Sequence, residues 1–119
     1  GGTVHGAYPK GMVHKIDFER ICQLREAVKV PLVVHGGSGT PLDGMAKLGP
    51  GGIAKIKLMA DMGANGMVYT QKFVESFHGY DGLLHASTLK MKQFIDAFYQ
   101  GFEDKIVEYI EVLGSAQKA

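Results

Sequence analysis

Apolar positions in the first third of the chain follow two different periods. From Asp17 to Lys29 the residues Phe18, Ile21, Leu24, Ala27 and Val28 recur at three- and four-residue spacing, so they share one face of a helix. Asp17 stands where its carboxylate can accept hydrogen bonds from the first turn, which predicts a capped helix of about three turns. At Val30 the period changes. The apolar run Val30 to Val34, interrupted only by Pro31 and followed by glycines, predicts a short parallel strand buried on both faces and ending at His35. A short helix is expected over 41–48, a second strand over 53–59 (IAKIKLM), a helix from Asp61 to about Phe77, and a turn at 78–82 (HGYDG). Ser87 is placed to cap a long amphipathic helix carrying Leu89, Phe94, Ile95, Phe98, Phe102, Ile106, Val107, Ile110 and Leu113, with Gly114 as its stop. The Met, Phe and Ile stripe of that helix reads as core.

Helix, strand, helix, strand in that order implies crossover connections and a parallel sheet, hence an α/β fold. The opening GGTVHGAY adds the stub of a third strand. A closed (β/α)8 barrel takes about 250 residues, and a free-standing doubly wound sheet wants more than two or three strands, so 119 residues with two full strands read as one domain, 1–119, that is the end of something larger and incomplete as given.

Composition narrows the partners. Thirteen basic and twelve acidic residues give a net charge of +1, with no basic block to neutralise a row of phosphates, so nucleic acid is not expected. No apolar run approaches a bilayer span and the N-terminus lacks signal-peptide order, so a cytoplasmic location without membrane contact is expected. Cys22, the one cysteine, falls on the helical face and reads as a small core residue. Glycine is abundant at 17 residues, and LGPGG (48–52) and GANG (63–66) weaken the helical reading where they fall.

The chemistry concentrates in VPLVVHGGSGTP (30–41). Ligands of parallel sheets bind beyond the carboxyl ends of strands, where His35 would stand. Gly36, Gly37 and Gly39 permit turns closed to other residues and bring backbone amides close to an anion such as phosphate. Taken alone, GGSG also fits a plain turn or the start of a dinucleotide fingerprint, although no G-x-G-x-x-G opens a helix here. His14, His78 and His85 lie in loop-like contexts and read as surface residues.

Set beside GTVHGAY (2–8), the HGGSG stretch resembles the zinc-dependent, class II fructose-bisphosphate aldolase family, which includes tagatose-bisphosphate aldolases. KIKLMAD (55–61) and LGSAQKA (113–119) agree with the family's K-I-N-x-x-T-D and G-S-A-G-x-A, so the markers span the whole chain. The resemblance implies a (β/α)8 barrel, with this chain supplying the last strands. It implies that His5 and His35 are two of three zinc-binding histidines. Gly6, Gly36 and Ser38 would hold a substrate phosphate and, in some members, a monovalent cation, and Asp61 would close the phosphate-binding motif. The implied reaction is reversible cleavage of a ketose 1,6-bisphosphate, fructose foremost, into dihydroxyacetone phosphate and glyceraldehyde 3-phosphate, in a dimer or tetramer. Two positions depart from the pattern: Lys57, counted here with the substrate- and phosphate-binding candidates, replaces a substrate-contacting asparagine, and Ala60 a phosphate-assisting threonine. The family's third zinc histidine, its proton-donating aspartate and an assisting glutamate have no counterpart here. The chain alone is therefore expected to run no useful reaction, and the alternative is an inactive piece that retains a phosphate-binding loop.

Overall fold

The computed structural model describes residues 15–76 and 88–116. Their order is α1 (Phe18–Ala27), β1 (Leu32–Val34), α2 (Leu42–Ala46), β2 (Ile53–Ile56), α3 (Ala60–Glu75) and α4 (Thr88–Val112). β1 and β2 are parallel neighbours in a two-stranded sheet, so the fold is α/β as the alternation requires. The expected strand stub at residues 1–8, the turn at 78–82, the Ser87 cap and His14, His78 and His85 lie outside the described residues.

The chain divides into two compact units, residues 1–59 with 108–119, and residues 60–107. In the first, α1 begins where its sequence says it should: Asp17 Oδ1 accepts from the Arg20 N–H at 2.9 Å. Ile21, Val34, Met45, Leu48, Ile53 and Tyr109 form the buried core. Cys22, expected in that core, is exposed, because Ile21 takes the inward position on the helix. LGPGG forms no helix. After α2 it becomes a chain of tight turns in which Gly52, at φ +94°, and the Ile53 N–H bonded to Leu48 O at 3.0 Å deliver the backbone into β2.

β1 is shorter than expected and buried on one face only: Val30 lies outside it and is 67% exposed, and Val33 within it is 47% exposed. The reason is the pairing, since alternation turns Val34 into the core and Val33 away from it.

In the second unit α3 runs unbroken through GANG. Gly66 faces α4, and a Cβ there would lie 2.7 Å from the Phe98 ring. Gly101 repeats this from α4, where a Cβ would lie 2.6 Å from Asn65 O. The glycines are thus contact points of two closely packed helices rather than breaks. The apolar stripe of α4 is not uniformly core: Phe94, Phe98 and Phe102 are half-buried, while Met91, Ile95, Tyr99, Ile106, Val107 and Ile110 are exposed. α4 ends as Gly114 predicts. At φ +60° its N–H bonds Glu111 O at 2.9 Å and Ser115 N–H bonds Ile110 O at 3.0 Å, a Schellman stop.

Candidate functional site at the strand ends

Beyond β1 and β2 the backbone pairing continues past the regular strands. Lys57 N–H donates to Val34 O at 2.9 Å and Lys57 O accepts from Gly37 N–H at 3.0 Å, so Lys57 brackets the His35–Gly36 segment across the sheet. The extra residue is accommodated by Gly36 at φ +74°, a conformation unfavourable for a side chain bearing a Cβ. Gly37 then passes against β2, where a Cβ would meet Ile56 Cγ2 at 2.8 Å and Leu58 Cδ2 at 3.1 Å. Ser38 Oγ accepts from the Met59 N–H at 3.2 Å. Gly39, at φ +80°, turns the chain again, and Thr40 N–H closes the loop on Gly37 O at 3.2 Å. The loop is therefore stitched at two points to the segment that follows β2, Gly37 to Lys57 and Ser38 to Met59.

This brings four of the sequence-derived candidates together: His35, Gly36, Ser38 and Lys57. His35 and Lys57 are exposed, Gly36 and Ser38 half-buried. Asp61 stands in the first turn of α3, in the other compact unit. His5 and Gly6 lie outside the described residues. His35 is the right kind of donor for zinc, an imidazole at an open strand end. Among the described residues, however, no three of His, Cys, Asp and Glu gather as a metal-holding group, so these residues supply at most part of a metal site.

Two groups escaped the sequence reading. Thr40 is 6% exposed and its Oγ1 has no hydrogen-bond partner among the described residues. Lys55, two residues before Lys57, shares its exposed face; the alternation in KIK was the available signal.

The sequence model of the family described as fructose-bisphosphate aldolase class-II matches residues 1–118. The chain belongs to that family. Membership ties the chain to aldolase-type lyase function in carbohydrate metabolism. Among the described residues no helix of the aldolase chain is long and apolar enough to cross a membrane.

Proposed function

We propose that these residues form part of a zinc-dependent aldolase that reversibly cleaves a ketose 1,6-bisphosphate, with fructose 1,6-bisphosphate as the first candidate. The products are dihydroxyacetone phosphate and glyceraldehyde 3-phosphate. The observation that carries the reading is the loop at 36–39 bonded to 57–59, which fixes a histidine and a glycine-rich backbone at one strand end.

His35, with His5, is assigned to zinc. The metal, when bound, would polarise a substrate carbonyl. The amides of the loop, with Ser38 Oγ, are assigned to a substrate phosphate. Holding the three-carbon unit by its phosphate supplies the positioning part of catalysis. Gly6, Gly36 and Ser38 are the positions at which a monovalent cation would join. Self-association into a dimer or tetramer belongs to the same reading, and the exposed Met91, Ile95 and Tyr99 of α4 support it. Turnover needs a third zinc ligand and a proton donor besides these residues, so the 119-residue chain alone should bind without cleaving.

The second reading is a catalytically inactive fragment or scaffold piece that retains the phosphate-binding loop. Titrating dihydroxyacetone phosphate into the chain, with zinc and with EDTA, separates them. The aldolase reading expects zinc to tighten binding and His35→Ala to remove that increment. An increment of zero leaves the second reading, and absent binding in both conditions overturns both. A coupled triose-phosphate assay should stay at background; steady cleavage by the chain alone would contradict the need for further groups.

A further inference from the structure

Thr40 ends the glycine loop and hands the chain on to α2. Its N–H closes the loop on Gly37 O at 3.2 Å, and α2 begins two residues later at Leu42. Its side chain is 6% exposed, yet Oγ1 has no hydrogen-bond partner among the described residues. A buried hydroxyl left unmatched destabilises the state that contains it. The neighbouring sequence supplies a partner. Thr40-Pro41-Leu42-Asp43 has the form of a capping box, with a hydroxyl at the cap, proline at the first helical position and an acidic residue three positions on. In a closed box the hydroxyl oxygen accepts from the N–H of that third residue, here Asp43. The structure shows the box open: α2 starts one residue later than the box requires, with Pro41 in the cap position and no side-chain cap bond. Thr40 nevertheless lies against the first turn, since a Cβ on Gly44 would come 3.7 Å from Thr40 Cγ2. Oγ1 and Cγ2 share one Cβ, so a single step of about 120° between staggered rotamers puts the hydroxyl where the methyl now stands.

We propose that Thr40 is a positioning residue whose hydroxyl, unmatched in the free chain, turns onto the Asp43 N–H when the loop takes its anion, so that a capped α2 holds the loop in its binding conformation. The role rests on the reading of 36–39 as a phosphate-binding loop and adds how that loop is held. Thr40 itself touches no ligand. The coupling arises because one residue belongs to both structures. An anion on the loop amides fixes the backbone of Thr40 and thereby favours the cap, and by reciprocity the cap favours the anion.

The test titrates dihydroxyacetone phosphate into the 119-residue chain in EDTA, as wild type, Thr40→Val and Thr40→Ser. Valine keeps the shape and removes the hydroxyl, whereas serine keeps the hydroxyl. Affinity should fall about 5-fold in Thr40→Val, the worth of one cap, and stay within about 2-fold of wild type in Thr40→Ser. Two further readouts separate positioning from a merely structural role. In the free chain Thr40→Val should leave Tm unchanged or raise it, because no bond is lost there. Hydrogen exchange at the Asp43 amide should slow on ligand addition in wild type and Thr40→Ser but not in Thr40→Val. Equal affinities of wild type and Thr40→Val, an Asp43 amide that ligand does not protect, or a lowered Tm of free Thr40→Val each overturn the role while the loop reading stands. If wild type binds no ligand, the loop reading falls and the role with it.

Discussion

The two compact units solve the packing problem in opposite ways. The strand-bearing unit buries large side chains: Met45 and Leu48 are fully inaccessible, and Ile21, Ile53 and Tyr109 close around them. The α3–α4 unit buries small ones. Among the described residues its buried positions are Gly66, Thr70 and Gly101, and its helices meet through Asn65 Nδ2 donating to Gly101 O at 2.6 Å and Tyr69 OH donating to Asp104 at 2.6 Å. The first unit is held by volume and the second by proximity. Among the described residues only the first carries a strand-end loop, and Val34, which leads into it, belongs to the volume-filled core.

The comparison is sharpened first at Met45. Met45→Ala removes a fully buried side chain, and stability should fall by about 2–5 kcal/mol, read from denaturant midpoints. An unchanged midpoint would mean that the first unit does not depend on this core.

A smaller loss, about 1–3 kcal/mol, is expected for Gly66→Ala, because the new Cβ would sit 2.7 Å from the Phe98 ring and 2.9 Å from its carbonyl oxygen. Helix propensity alone predicts the opposite sign, a gain of about 1 kcal/mol. The sign of the measured change decides between them. Gly63, which has nothing within 4 Å of its Cβ position, serves as the control in which propensity should win.

These positions also show where the sequence was legible. The Asp17 cap, the existence of α1 and the Gly114 stop were readable because each depends on neighbours within a few residues, whereas β1 was found but proved shorter than expected and buried on one face only. GANG was misleading because the cost of glycine in a helix is local, whereas its benefit comes from Phe98, 32 positions after Gly66. Cys22 was misplaced because the apolar face of α1 is narrow and Ile21 occupies it. At the site, His35 and the glycine loop stood out by composition. The bonding of Ser38 to Met59 and of Gly37 to Lys57 did not, since hydrogen bonds between segments about 20 residues apart leave no periodic trace.

The smallest effect concerns pH in the α3–α4 unit. The phenol donated by Tyr69, followed by the Gln100 amide, holds the Asp104 carboxyl below its ordinary range, and the same bond, with the nearby carboxylate, raises Tyr69. A carboxyl lowered in the folded state stabilises above its unfolded value and ceases to do so as pH falls through the folded one. A phenol raised in the folded state stabilises below its unfolded value and loses this as pH climbs through the folded one. Stability should therefore decline slightly at both ends, in acid below the carboxylate range and in alkali above about pH 10. Tyr69→Phe should flatten both declines in a Tm-versus-pH series, and persistence of both would remove this pair as their source.

The most direct test of the central claim follows backbone amides of the 119-residue chain by 15N–1H correlation spectra during addition of dihydroxyacetone phosphate. The account predicts that the largest shifts fall on 36–39 and 57–59, the loop and the strand end bonded to it. Shifts concentrated elsewhere, or none at saturating ligand, would contradict the assignment of this strand end as the sugar-phosphate site.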